Sequence, residues 1–433
     1  MTPTHHRTSR LPSLTGLRFI AALMVFAFHV AWERFFRDAE VQGDYADVVN
    51  KAGWIGVSFF FVLSGFVLAW SRREGERAPR FWRRRIAKVY PGHFVTALVA
   101  FWLISRTDGM LAAAGTVDAD EAITNLLLIH SWWPEYDVFL SGNAVSWSLA
   151  CELFFYLAFP VLWMGVSRIR AAHLWPATVV VTAAIVCVPL MAKLVTADPV
   201  MMLPDGTASL KQYWFVYIFP PVRALEFVLG MLLARVVAEG RWFRLPLTVP
   251  IALFGVGYYL AAREVPYLYS LVAATIIPIA LLIPAAADAD IRGRGSWFAS
   301  KPMVWLGERS FAFYLVHLLV LLYGHDWLGR GENWETGQAV LVILGFMLVS
   351  LAISAVLYEV VEKPGMRWLS GSRSTRPAPG SGGAAREAGM APGTPEPAAP
   401  DSVGRDAVEP DSAERARTAR SSGDSDDRVP SKT

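Results

Sequence analysis

The chain has 433 residues, of which 54% are hydrophobic and only 18% charged, whereas a water-soluble domain carries about 25% charged residues. With a mean hydropathy of +0.37, an ordinary soluble globular protein is excluded, and one polytopic all-α membrane domain is the economical reading. The net charge of +3 comes from short basic clusters beside apolar segments rather than from a continuous basic face, which argues against nucleic acid as a partner. Cys151 and Cys187, the two cysteines, both lie in apolar runs. Neither a disulfide framework nor a zinc cluster is therefore expected, and we expect no metal.

An α-helical span needs about 20 mostly apolar residues, because roughly 30 Å of hydrocarbon is crossed at about 1.5 Å per residue with every backbone group bonded inside the helix. Ten stretches meet that test: 14–32, 54–70, 89–104, 145–166, 175–194, 214–237, 245–262, 267–287, 303–323 and 339–361. The first follows Arg7 and Arg10 as a signal peptide would, but it holds Arg18 and His29 and has no small-residue cleavage site, so it is retained as a helix. Between the second and third lie Arg72, Arg73, Arg77, Arg80, Arg83, Arg84, Arg85 and Lys88, against Glu74 and Glu76. By the positive-inside rule this junction is cytoplasmic. Arg168 and Arg170, then Arg235, Arg241 and Arg244, then Arg292, Arg294 and Lys301 mark the next even-numbered junctions in the same way. The acidic segments 33–51 and 108–121 then face outward. The reading is a multi-pass protein of the plasma membrane with both termini cytoplasmic.

Trp32, Trp54, Trp70, Trp132, Trp133 and Trp214 fall at predicted span ends, where indole rings anchor at the interface. Pro220-Pro221, Pro278 and Pro284 are expected to kink their helices. Residues 1–10 form a cytoplasmic N-terminal segment and 11–369 the membrane domain. Residues 370–433 are rich in Gly, Pro, Ala, Ser and charge without aromatic residues, the composition of a disordered cytoplasmic tail. Gly423-Asp424-Ser425 in that tail superficially matches an esterase nucleophile block, but no strand, helix or histidine surrounds it.

Ionisable groups within spans are costly and so mark function by default. Arg18 and His29 are eleven residues apart, close to three helical turns, which puts both on nearly one face about 16 Å apart along the axis. Ser148, Glu152 and Tyr156 repeat at i, i+4, i+8 and share a face of the fourth span. A mid-span carboxylate must be paired, and it could orient a histidine as triad carboxylates do. Arg223 and Glu226 at i, i+3 read as a local ion pair contributing packing. Tyr314 and His317 form another polar stripe, and Arg84, Arg85 and Lys88 are placed to meet a phosphate-rich cytoplasmic ligand.

Several separated segments resemble the family-3 membrane acyltransferases, the bacterial integral-membrane O-acyltransferases. They begin with Leu14-Thr15-Gly16-Leu17-Arg18 and His29, an arginine and histidine separated by ten residues, followed by Gly56-Val57-Ser58-Phe59-Phe60-Phe61-Val62-Leu63-Ser64-Gly65-Phe66. Then come the arginine-rich turn ending in Val89-Tyr90-Pro91, Trp147-Ser148-Leu149-Ala150-Cys151-Glu152 running to Tyr156, Glu226-Phe227-Val228-Leu229-Gly230, Tyr314-Leu315-Val316-His317 and Glu362-Lys363-Pro364. The resemblance implies transfer of an acyl group, most simply acetyl, from cytoplasmic acyl-coenzyme A to a hydroxyl of a carbohydrate, glycolipid or macrolide-like small molecule. It implies His29 as the central catalytic residue, as general base or as transient acyl carrier, Arg18 as its required partner and Glu152 as the group that orients or balances the histidine. Arg85 and Lys88 match paired arginines said to serve the donor, with lysine replacing the second.

A neutral histidine suits this chemistry, since an attacking hydroxyl must lose its proton near pH 7. No soluble esterase-like domain accompanies the membrane part, so transfer is expected to end there or on a separate partner. The competing class is a proton-coupled transporter, for which intramembrane His and Glu would also serve. The first and second five spans show no internal repeat, which disfavours it.

Overall fold

Helices follow the apolar runs throughout the computed structural model, which describes residues 11–73, 75–107, 117–195, 208–329 and 332–369. The principal ones are α1 (Pro12–Glu33), α2 (Ala39–Val49), α3 (Ala52–Trp70), α4 (Ala78–Ile104), α5 (Trp147–Arg168), α6 (Leu174–Met191), α7 (Pro220–Ala238), α8 (Thr248–Arg263), α9 (Ile276–Ile291), α10 (Lys301–Leu328) and α11 (Thr336–Leu357), with no β-strand among the described residues. Eight helical segments of the described residues are long and apolar enough to cross a membrane, so the all-α, multi-pass class stands.

The count of full-length spans differs from the ten expected. The seventh and eighth predicted stretches contain α8 and α9, of 16 residues each, about 24 Å of helix against roughly 30 Å of hydrocarbon. A turn at 271–275 separates α9 from the short helix Tyr267–Ser270, which divides an apolar run that hydropathy alone reads as continuous. Residues 1–10, the predicted tail from residue 370 and residues 108–116 of the long acidic loop lie outside the described residues.

Pro220-Pro221 does not kink a helix but starts one. The π-helical turn Trp214–Ile218 ends at Phe219, whose ψ of 116° is extended, and α7 opens on the prolines. At a helix's first turn the missing N–H costs nothing and the fixed φ is already helical.

Packing centres on α1, which lies against α3 and α10, while α3 runs along α7. Glycines permit these approaches: a Cβ on Gly65 would run into the Phe227 carbonyl, and one on Gly230 into the Val62 carbonyl. Lipid offers no hydrophobic drive between helices, so close backbone approach and dispersion must supply the contact energy. Beside them lies a buried aromatic cluster in which Phe155 of α5 stands edge-on to Phe61 and stacks on Phe227.

Arg223 and Glu226, each 1% exposed, form an ion pair of 3.0 Å on α7. Arg223 also donates to Ser58 Oγ on α3 at 3.2 Å, and its guanidinium lies 4.7 Å from the Tyr217 ring centre. The pair thus ties two helices and an aromatic side chain together. Removing one partner strands a buried charge, so Glu226→Ala should destabilise the protein by about 3–5 kcal/mol, read as a lower unfolding midpoint in detergent. Replacing both by apolar residues of similar volume should recover most of that loss.

The helix ends form two distinct faces. At the basic one, the Ser13 amide and hydroxyl donate to Asp290 of α9 at 2.8 and 2.6 Å, and Arg235 donates to the Val166 and Ile169 carbonyls at 2.6 and 2.8 Å. At the opposite, acidic end, Tyr45 donates to the Ala27 carbonyl at 2.9 Å, Arg263 pairs with Asp47 at 3.1 Å, and Phe36 bridges Trp334. Of the predicted tryptophan anchors, Trp32, Trp132 and Trp133 are exposed, but Trp70 is buried and stacks on Phe66. Trp54 turns inward to line a cavity.

Candidate active site

His29 and His317 meet between α1 and α10, with His29 Nδ1 and His317 Nε2 at 3.0 Å. His317 Nδ1 lies 3.1 Å from the Phe313 carbonyl. A carbonyl only accepts, so Nδ1 of His317 carries its proton and, in the neutral ring, Nε2 is the acceptor. His29 must then donate through Nδ1, which leaves its Nε2 lone pair unprotonated. His317 is fully buried and stacks on Phe313 at 5.8 Å, which fixes the orientation of the pair. The arrangement is that of a base held in one tautomer by a second residue, with a histidine in the orienting position.

His29 lines a cavity of about 640 Å³ that lies toward the acidic end. Its wall is mainly aromatic: Trp32, Trp54, Trp147, Tyr213, Tyr217 and Tyr267, with Tyr314 at its base. Asp47 in the last turn of α2, with Asn50 and Lys51 just after it, supplies polar groups, and the Lys51 ammonium sits 4.7 Å from the Trp54 ring centre. Cavities of this size take small organic ligands, with a few polar groups setting orientation.

A second, narrower slot of about 40 Å³ lies on the other side of Tyr314, lined by Arg18, Lys88, Ser148, Glu152 and Tyr156 among others. The three residues predicted to share a face of α5 therefore do open on one space. Glu152 accepts from the Tyr156 hydroxyl at 3.0 Å, and Ser148 Oγ lies 2.8 Å from the Tyr314 hydroxyl. Glu152, expected to orient or balance His29, lies in the slot with Tyr156, and the side chain within hydrogen-bond distance of His29 Nδ1 is His317. The physical reason is axial offset: Arg18 and Glu152 sit at the level of the slot, while His29 stands three turns further along α1.

Glu362 went unassigned in the sequence reading, although it lies in the Glu-Lys-Pro motif. A π-helical turn, Tyr358–Glu362, ends α11 and carries this carboxylate, 2% exposed, into electrostatic reach of Lys88 and Arg18. The Arg18 Nε and Arg85 Nε donors and Glu362 Oε1 are buried without hydrogen-bond partners among the described residues. Such groups are costly unless a ligand satisfies them.

The basic cluster divides by direction along α4. Lys88 reaches the slot, Arg85 stands near Tyr156 and Glu152, and Arg84 is engaged by Glu76. A separate surface hollow of about 570 Å³ is lined by Arg77, Arg80 and Arg83 with Gly75 and Pro79. Of the three residues predicted to meet a phosphate-rich ligand, Arg84 is thus engaged by Glu76, while Arg77, Arg80 and Arg83 line the separate hollow.

The segment that carries Val145 and Trp147 into the aromatic cavity is fastened by a buried polar cluster. Asn125 Nδ2 donates to the Ser141 carbonyl at 2.6 Å and to Ser146 Oγ at 3.0 Å, Asn143 Nδ2 donates to the Leu315 carbonyl at 2.8 Å, and His130 Nε2 lies 3.3 Å from Ser146 Oγ. Burial, with His93 nearby, pushes His130 down to about 3. The unfolded chain takes up this proton near pH 6.5 while the folded chain refuses it. Its contribution is thus complete above about pH 6.5 and is lost as pH falls, by up to about 1.4 kcal/mol per unit. Acid melting curves should flatten between about pH 6 and 4 in His130→Gln, compared with the parent.

Fold and site together describe a multi-pass membrane protein with a His29–His317 pair at an aromatic cavity and a charged slot beside it. The family model described as "Acyltransferase domain" matches residues 11–359. "Acyltransferase MdmB" of Streptomyces mycarofaciens is 42% identical over 86% of this chain and 96% of its own length. The "Putative peptidoglycan O-acetyltransferase YrhL" of Bacillus subtilis is 26% identical over 83% of this chain and 55% of its own. "Peptidoglycan O-acetyltransferase OatA" of Listeria monocytogenes is 23% identical over 73% and 50%. The chain spans nearly all of the first and about half the length of the other two. No solved structure matches it. The chain belongs to the family-3 acyltransferases and is a membrane O-acyltransferase. That identification favours the enzyme over the proton-coupled transporter weighed from the sequence.

Proposed function

We propose that the protein transfers an acyl group, most simply acetyl, from cytoplasmic acyl-coenzyme A to a hydroxyl of a small ring-bearing acceptor such as a glycoside or macrolactone. The basic end faces the cytoplasm of the plasma membrane, and both termini lie on that side. The observation that supports the reading is the 3.0 Å contact of His29 Nδ1 with His317 at the wall of the aromatic cavity, which leaves the Nε2 lone pair of His29 to serve as the base. The acceptor hydroxyl gives its proton to Nε2 as its oxygen attacks the thioester carbonyl. The carbon–sulfur bond then breaks, and the thiolate leaves with the proton that His29 returns.

The donor's charged nucleotide is held at the basic hollow by Arg77, Arg80 and Arg83, as guanidinium groups suit phosphate. Its pantetheine arm runs past Arg85 and Lys88 so that only its end reaches the slot, with the unpartnered Nε donors of Arg85 and Arg18 along that path. Arg18 serves the donor rather than the reacting atoms, since about 16 Å of helix separate it from His29. The aromatic cavity supports a small acceptor over a polymer strand, because its rings stack on sugar or macrocycle faces within a bounded volume. The relatives named for peptidoglycan point to carbohydrate hydroxyls more generally.

Protein in nanodiscs, given acetyl-coenzyme A and a panel of glycosides and macrolactones, tests the assignment. Ester formation with coenzyme A release is expected for at least one acceptor. Tight coenzyme A binding that survives Arg80→Glu/Arg83→Glu would refute the donor placement.

A further inference from the structure

The aromatic cavity of His29 and the slot of Arg18 meet at a shared wall. Val57 of α3 and Tyr314 of α10 line both. The Tyr314 ring, 6% exposed, packs edge-on against Phe60 at 6.0 Å. Its hydroxyl reaches across to the start of α5, 3.1 Å from the Val145 carbonyl and 2.8 Å from Ser148 Oγ, and Ser148 Oγ in turn lies 3.1 Å from the same carbonyl. The ring is therefore anchored at one end by the α10 backbone and at the other by its hydrogen bonds to the Val145–Ser148 turn.

We propose that Tyr314 is a movable partition between the donor slot and the acceptor cavity, and that its ring limits the size of acyl group that crosses to His29. This rests on the reading that donor and acceptor enter from opposite ends. On that reading an acyl carbon delivered past Arg18 meets Tyr314 and Val57 before it meets a hydroxyl at His29. The slot leaves room for only a few atoms beneath the ring. An open connection would also expose the thioester to water from the acceptor cavity, and hydrolysis is the reaction that competes with transfer. A side chain latched by hydrogen bonds at its tip suits this task, because those bonds can be broken without unpacking a helix.

The test separates the partition from the acyl chemistry. In a Cys151→Ala/Cys187→Ser background, Leu149→Cys places a thiol in the wall of the slot. Oriented proteoliposomes are treated from the His29 face with a membrane-impermeant cationic methanethiosulfonate. The thiol should stay unlabelled with Tyr314 present and become labelled in Tyr314→Ala. Val57→Ala, which opens the wall from the opposite side, should also admit label, should Tyr314→Ala fail to fold.

With turnover measured in parallel, Tyr314→Ala should improve the ratio of hexanoyl to acetyl transfer by about tenfold or more. It should also release coenzyme A without acceptor. Labelling from the His29 face with Tyr314 intact would overturn the proposal, as would no labelling in folded Tyr314→Ala and Val57→Ala. Labelling needs no thioester, so it judges the partition even if acyl-coenzyme A proves not to be the donor.

Discussion

His29→Ala should lower acyl transfer by about 10²–10⁴-fold, the usual contribution of a positioned general base, while leaving the unfolding midpoint and donor binding close to those of the parent. The side chain is half-buried on the cavity wall, so its loss enlarges a space that is already open. Coenzyme A should still bind, because Arg77, Arg80, Arg83, Arg85 and Lys88 stand on α4 and in the turn before it, away from His29. A fall in activity paralleled by a fall in stability or donor affinity would instead make the residue a packing element. Measuring kcat and coenzyme A affinity on the same preparation distinguishes the two.

Replacement of His317 should have the next largest effect and should depend on what replaces it. His317→Phe preserves the stack on Phe313 but removes the side-chain acceptor of His29 and leaves it only the Val25 carbonyl, so the imidazole is held less firmly and can rotate. Activity should fall by about 10²-fold or more. His317→Gln retains an amide oxygen that can accept the same hydrogen bond, and it should recover part of the loss. The double variant His29→Ala/His317→Phe should be no worse than His29→Ala alone, since one residue acts through the other. Equal losses for Phe and Gln, or additive losses in the double variant, would remove His317 from the mechanism.

Much of this architecture is legible in the sequence because bilayer physics is strict. Backbone groups in hydrocarbon must be bonded within a helix, so long apolar runs become helices, and Arg18, His29, Ser148, Glu152 and Tyr156 are conspicuous by their cost. Helical spacing correctly places the α5 trio on one face. It also gives the Arg18 to His29 offset, from which the difference in level between the charged slot and the His29 cavity follows.

What the sequence does not reveal are relations between helices. Nothing local to His29 identifies a partner 288 positions away on α10, and the triad analogy favours a carboxylate that the fold directs toward Tyr156, Arg18 and Lys88. Glu362 is likewise hidden, because it looks like a surface residue at a span end until the π-helical turn rotates it inward. Tryptophans at span ends read as interfacial anchors whether they face lipid, as Trp32 partly does, or a cavity, as Trp54 does. The α8 and α9 runs are apolar enough to count as spans, and α9 is cut short by a turn at 271–275 that hydropathy does not register.

The most direct test of the account is single-turnover transfer of radiolabelled acetyl from acetyl-coenzyme A by the purified protein in nanodiscs, with an acceptor that supports turnover, comparing the parent with His29→Ala. The account predicts labelled ester and stoichiometric coenzyme A release in the parent, and a rate lowered by about 10²-fold or more in the variant. Transfer at the parental rate without the imidazole of His29 would contradict it.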